Sequence, residues 1–192
     1  MTDILQKLFG SSARVKLLRL FLFNAGISYT IAEVASRTRS TKKDVRREIL
    51  LFTQIGLIER TSRKKEIRFT LKRDFAYLLA LQNLLLNTPA RSQDIYEQFR
   101  DVGAVRLVVI GGIFMGEQEN GLDLFLVGDR VKEKKFQNAL KGFEAEIGKE
   151  LRYALLSSED FFYRINMNDR LVRDVFDYPH RIVHDRLDIG LK

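Results

Sequence analysis

The chain has 192 residues, 45% of them hydrophobic, with fourteen Phe, two Pro, no Cys and a formal net charge of +8. That is enough apolar material for one large core or two small ones, and the lack of cysteine excludes disulfides and thiolate metal sites. The first residues lack the basic-then-apolar pattern of a signal peptide, and no apolar run approaches the roughly 18 residues of a membrane span, so a cytoplasmic protein with no membrane contact is expected.

The charge is unevenly placed. Residues 1–90 hold 17 Lys and Arg against 7 Asp and Glu, whereas residues 91–192 hold 16 against 18. All the positive excess lies in the first half, which points to a polyanionic partner there; the alternative is a solvated basic surface with no partner.

In chain order, Ser11 or Ser12 caps a helix with Val15, Leu18 and Leu22 at helical spacing, which Gly26 can end. Thr30-Ile31-Ala32-Glu33 fits a capping box and opens a short helix with Ile31, Val34 and Ala35 inward. After a turn at Arg37-Thr38-Arg39-Ser40, Thr41 caps a second helix, with Asp44 at its positive dipole end and Val45, Ile49 and Phe52 as its buried stripe. Leu57 to Arg60 and Glu66 to Leu71 form two strands around a turn at Thr61 to Lys65. Ile67, Phe69 and Leu71 are expected inward and Glu66, Arg68 and Thr70 outward. A helix over about Phe75–Leu86, apolar on most sides, is either core or a dimer contact.

Asn87-Thr88-Pro89-Ala90-Arg91-Ser92 suits a linker, dividing the chain into domains 1–88 and 89–192. Beyond it, Ser92 opens a helix through Phe99. Val105–Ile110 is a strand ending in Gly111-Gly112, and Leu122–Val127 is the next. Lys132–Ile147 is an amphipathic helix and Leu151–Leu156 a third strand. Ser157 caps a helix to about Ile165, Asn168 or Asp169 caps Leu171–Phe176, and Arg181-Ile182-Val183 is a short strand or extended tail. The fold class is α+β.

Residues Ser11 to Leu71, with the Thr30–Ala35 helix, the tight turn, the Thr41–Gln54 helix and Gly56-Leu57-Ile58 leading into a basic hairpin, resemble the ArsR/MarR-type winged-helix transcriptional regulators. The resemblance implies a winged helix-turn-helix domain that binds duplex DNA, with Thr41–Gln54 as the recognition helix. Thr41 opens that helix, and Lys42, Lys43, Arg46 and Arg47 fall opposite its apolar stripe. Arginine matches a guanine edge with two hydrogen bonds and lysine serves phosphate as a point charge, so Arg46 and Arg47 are assigned to bases or close phosphates and Lys42 and Lys43 to phosphates. Arg63, Lys64 and Lys65 at the hairpin tip would reach flanking backbone or minor groove, assisted by Arg68. No aromatic platform interleaves with them, which disfavours single-strand or RNA recognition. Duplex DNA and a second copy of the chain are the expected partners.

The segment Val108-Val109-Ile110-Gly111-Gly112-Ile113-Phe114-Met115-Gly116, followed by Gly121-Leu122-Asp123-Leu124-Phe125-Leu126-Val127-Gly128, resembles the polymerase-beta-like minimal nucleotidyltransferases. In that family a strand ends in a glycine pair, a short helix follows, and the next strand carries an Asp-x-Asp pair. With a third carboxylate on a later strand, that pair holds two Mg²⁺ ions. Here Gly121 stands at the first Asp position, Asp123 at the second, and the later strand reads Leu-Arg-Tyr-Ala-Leu-Leu, with Glu150 before it. One carboxylate does not replace three, so a non-catalytic domain without catalytic residues, metal or other cofactor is expected. Gly111, Gly112 and Asp123 are then a candidate phosphate or nucleotide niche for an effector, a protein effector being the other option; Asp123 otherwise simply caps backbone amides. The whole chain, including Ser158-Glu159-Asp160-Phe161, looks like a group of fused winged-helix/nucleotidyltransferase-like regulators. The rival reading is an active, Mg²⁺-dependent nucleotidyltransferase acting on a protein, RNA or small molecule. His180 and His184, four apart on an extended segment, do not form a helical zinc pair.

Overall fold

The computed structural model describes residues 4–63, 66–86, 92–116 and 121–189. The chain is mixed α+β and divides into two compact units, Met1–Pro89 with Lys141–Lys149, and Ala90–Leu140 with Glu150–Lys192.

The first unit begins with α1 (Ile4–Phe9), an element the sequence reading did not propose, and α2 (Ser12–Phe23). Gly10, at φ 70°, separates them, and the Ser11 side chain caps α2 by accepting from the Arg14 amide at 3.2 Å. Val15, Leu17, Leu18, Leu20, Phe21 and Leu22 are all buried, so α2 is apolar on most of its circumference and runs through the core rather than along its edge. Asn24, not Gly26, closes it.

The two polar-capped helices form as their sequences dictate. α3 (Ile31–Thr38) carries the complete capping box of Thr30 and Glu33, and Arg39 ends it in the left-handed conformation. α4 (Lys42–Gln54) is capped by Thr41 and buries Val45, Ile49 and Phe52. An antiparallel pair follows, β1 (Ile58–Arg63) and β2 (Glu66–Leu71), with Arg63 opposite Glu66. Tyr29 and Phe69 exchange two backbone hydrogen bonds, at 2.9 and 2.8 Å, which dock the ribbon onto the segment before α3. Phe69 and Leu71 point inward as expected, but Ile67 is 44% exposed. The ribbon has left the core by that residue, so alternation there no longer reports burial.

α5 (Leu78–Leu86) starts three residues later than the hydrophobic pattern suggests, after a turn in which the Leu78 amide donates to the Phe75 carbonyl. Residues 141–149 belong to this unit as well. There the Arg19 guanidinium donates to the Glu146 carbonyl at 2.8 Å and the Asn24 amide to the Gly148 carbonyl at 2.7 Å.

The second unit contains α6 (Ser92–Phe99), β3 (Ala104–Ile110), a 3₁₀ turn (Gly112–Met115), β4 (Leu124–Asp129), α7 (Glu133–Ile147, whose last residues fall in the first unit), β5 (Tyr153–Leu156), α8 (Ser158–Asn166), α9 (Arg170–Asp177) and β6 (Arg181–Asp185). The sheet order is β5-β4-β3-β6; β4 and β5 are parallel and the other pairs antiparallel. β3 and β4 are buried almost throughout, so both faces of the sheet are covered and the strands read as continuous apolar runs. Leu107, Val109, Phe125 and Val127 pack with Phe161 of α8 and Val172 and Val175 of α9. Arg181 to Asp185 pairs with β3, which makes the tail a sheet strand. Among the described residues no helix is long and apolar enough to cross a membrane.

Candidate functional site

Two places carry the residues singled out from the sequence. The first is the outward face of α4. Lys42, Lys43 and Arg46 are exposed there, and none of them is in an ion pair among the described residues. Thr41 is the cap itself: its hydroxyl accepts from the Asp44 amide at 3.1 Å and donates to the Asp44 carboxylate at 2.6 Å. Arg47, expected to act beside Arg46, is differently employed. Its Nε and Nη2 both donate to Glu48 Oε1 at 3.1 Å, and Nη2 lies 3.3 Å from Asp44 Oδ1.

Glu48 organises this arrangement. It is fully buried, and its other oxygen accepts from Arg14 Nε at 2.7 Å, while Arg14 Nη1 holds the Phe9 carbonyl at 3.0 Å. One carboxylate thus joins α4 to α2 and to the end of α1. A buried carboxylate is stable only with such partners. Sequence reasoning passed over it, although a Glu beside the Val45–Ile49–Phe52 stripe signals a buried charge with a partner elsewhere. Leu50 was passed over as well. It is 60% exposed, one turn beyond Arg46 and on the same face.

Arg68, expected to assist at the hairpin tip, has partners within its own unit. It donates to Ser28 Oγ at 3.0 Å, to the Ser28 carbonyl at 2.8 Å, to Glu33 at 2.8 Å and to Glu66 at 2.9 Å, tying β2 to the start of α3. The Glu33 carboxyl is held below its usual range, first by the Thr30 amide and, against some desolvation, by Arg68. Arg63 ends β1, while Lys64 and Lys65 lie outside the described residues.

The second place is the turn after β3. Gly112 has φ 46°, which favours glycine, and a Cβ on it would run into the Asp123 carboxylate. Asp123 is buried. Its Oδ1 accepts from the Ile113 amide at 3.0 Å and from Arg152 Nη2 at 3.0 Å; its Oδ2 accepts from the Arg152 amide at 2.8 Å and Nε at 3.1 Å. Burial pushes this carboxyl up, but the Arg152 side chain together with the Ile113 and Arg152 amides outweighs it, and the group sits below the usual carboxylate range. Asp123 therefore caps backbone amides.

This geometry bears on the candidate niche. The Ile113 amide, which a phosphate at Gly111 and Gly112 would need, donates to Asp123, and the Gly111 amide donates to the Asp123 carbonyl at 3.1 Å. Nor do the residues fit a pair of Mg²⁺ ions. Both Asp123 oxygens are engaged, and a guanidinium stands just before β5, the strand from which a third carboxylate would project. Asp129, at the end of β4, accepts from the Ser158 amide and hydroxyl, each at 3.0 Å, and so serves the start of α8. Glu117 and Glu119 lie outside the described residues; among the described residues no group of three or more metal-competent side chains occurs. A small cleft at the turn is lined by Gly111 and Gly112 together with Val109, Gly121, Leu122 and Tyr178. His184 stacks on Tyr96 with ring centroids 4.0 Å apart, while His180 Nδ1 lies 2.9 Å from the Tyr178 carbonyl. Arg152 is legible only in retrospect: a strand Asp destined for burial needs a countercharge, and the Arg of Leu-Arg-Tyr-Ala-Leu-Leu supplies it.

Comparison with family models, with curated proteins and with solved structures finds no match for this chain.

Proposed function

We propose that this chain is a duplex-DNA-binding transcriptional regulator of the cytoplasm. Its first unit acts as a winged helix-turn-helix, and its second has a nucleotidyltransferase-like scaffold without transfer chemistry. The observation that carries the reading is the outward face of α4, where Lys42, Lys43 and Arg46 stand exposed and outside any ion pair among the described residues, in the first half of a helix followed directly by a β-hairpin. A helix start with free cations fits the major groove, and a hairpin beside it fits the flanking backbone. Lys64 and Lys65 extend the same positive surface in sequence.

The engagement of Asp123 by Arg152 supports the non-catalytic reading of the second unit. Two metal ions that clamp the attacking and leaving oxygens need several anionic ligands, and here the one retained carboxylate is spent on a guanidinium and two amides. We further propose a symmetric dimer through α5, which leaves Leu79 74% exposed and Leu84 42% exposed. Two-fold recognition helices would then meet half-sites about 34–36 Å apart on a pseudo-palindrome.

The test is fluorescence polarisation on duplexes selected from a random pool, over a series of salt concentrations. Log affinity is expected to fall linearly with log salt, with a slope near −0.9 for each phosphate contact. Absence of duplex binding at low salt and micromolar protein overturns the proposal. Sedimentation showing a monomer at tens of micromolar, with a non-palindromic selected site, overturns the dimer.

A further inference from the structure

The face of α4 does not offer its two adjacent arginines equally. Arg47 gives its Nε–Nη2 side to Glu48, and Asp44 lies against Nη2 as well. A guanine edge needs two free parallel N–H groups from one guanidinium. To supply its Nε–Nη2 pair, Arg47 would have to leave Glu48, a fully buried carboxylate whose remaining partner would be Arg14. Arg46 has no such commitment: its side chain is exposed and outside any ion pair among the described residues. Four residues on, Leu50 is exposed on the same side of the helix, an apolar group on an otherwise cationic face. Among the edges that the major groove presents, a leucine complements the thymine methyl.

Resting on the duplex-DNA reading above, we propose that Arg46 and Leu50 are the base-reading pair of α4, Arg46 for a guanine and Leu50 for a thymine methyl, and that Glu48 keeps Arg47 out of base reading. Four residues of helix rise by about 6 Å. With base pairs stacked about 3.4 Å apart, the guanine and the thymine lie within about two base pairs of each other in each half-site. Glu48 is a positioning residue: it touches no DNA and acts by holding Arg47.

The experiment uses the full chain and duplexes selected from a random pool. The wild type is compared with Arg46→Ala, Arg47→Ala, Leu50→Ala and Glu48→Ala, each first checked for a cooperative thermal transition. Arg46→Ala is expected to lower the preference for guanine at one position by roughly 10- to 100-fold. Arg47→Ala keeps that preference and shifts all sequences together. Replacing the selected thymine by deoxyuracil, which removes only the methyl group, weakens wild-type binding by about fourfold and leaves Leu50→Ala unaffected. Glu48→Ala frees Arg47 and broadens the selected sequence, an effect that lost stability alone does not produce. If Arg47→Ala abolishes guanine preference as Arg46→Ala does, or if deoxyuracil weakens Leu50→Ala as much as wild type, the assignment is overturned while DNA binding stands. A wild-type chain that binds no duplex overturns both.

Discussion

The two units each bury a carboxylate and answer it with arginine, and the consequences differ. In the first unit, Glu48 is clamped between Arg14 and Arg47, and the cations around it, Lys42, Lys43 and Arg46, stay on the surface. In the second, Asp123 is clamped by Arg152 and two backbone amides, and the clamp takes up the Ile113 amide of the glycine turn. A buried charge needs partners in either place. What decides whether a site is open is which groups the partners come from. Glu48 draws its arginines from beneath and beside the helix, leaving the outer face free, whereas Asp123 draws on the very amide and strand that frame the glycine turn.

The largest effect that tests this contrast is expected from Asp123→Ala. It leaves Arg152 and the Ile113 amide without their acceptor, and, because Arg152 is two-fifths exposed, the cost is about 2–4 kcal/mol rather than that of a fully buried pair. Thermal unfolding measures it. Below the transition, duplex affinity should change by less than about twofold, and labelled nucleoside triphosphates with Mg²⁺ should give no transfer with either protein. Label transfer by the wild type that disappears in the variant would show the second unit to be an open site after all.

Gly112→Ala comes next. It combines a left-handed backbone with a methyl group directed at the Asp123 carboxylate, and should destabilise by about 1–3 kcal/mol in chemical denaturation. An unchanged midpoint would mean that the carboxylate does not occupy the turn. Arg68→Met is a control in the first unit. It removes a clasp on the ribbon without touching α4, and should lower the midpoint of chemical denaturation while leaving base preference intact. Loss of sequence preference in that variant would return Arg68 to the DNA-reading set.

The smallest effect is on the pH dependence of stability. Asp123 and Asp129 both have folded carboxyls held below their ordinary values: for Asp123 the Arg152 side chain and two amides outweigh desolvation, and for Asp129 the Ser158 amide leads, then its hydroxyl. A depressed folded pKa contributes stability that is present above the unfolded value, near 3.9, and is lost as pH falls through the folded value. The contribution of these two carboxylates to the midpoint of denaturant unfolding should therefore be constant above about pH 5 and be lost below about pH 4. Asp123→Asn should start lower and fall less. A wild-type midpoint unaffected by acid would contradict the ion-paired state of Asp123.

Local signals in the sequence determined the helix starts and the succession of helices and strands along the chain. Ser11, Thr30, Thr41, Ser157 and Asp169 each cap the helix that follows, because a side chain reaching an amide two or three residues on needs no tertiary partner. The apolar runs of β3 and β4 were legible for a similar reason, since burial on both faces removes the need for alternation. What only the tertiary structure decided is which charges are spent. Arg46 and Arg47 are neighbours of identical chemistry, although only Arg47 has Asp44 and Glu48 within reach along the helix. Whether Glu48 stays to hold Arg47 depends on its burial against Arg14, on a helix more than thirty positions earlier in the chain. Asp123 and Arg152 likewise meet only because β4 and β5 pair in parallel across α7. Long-range pairing sets the company a charge keeps, and an ionisable side chain acts on a ligand only with the hydrogen-bonding capacity its own fold has left unused.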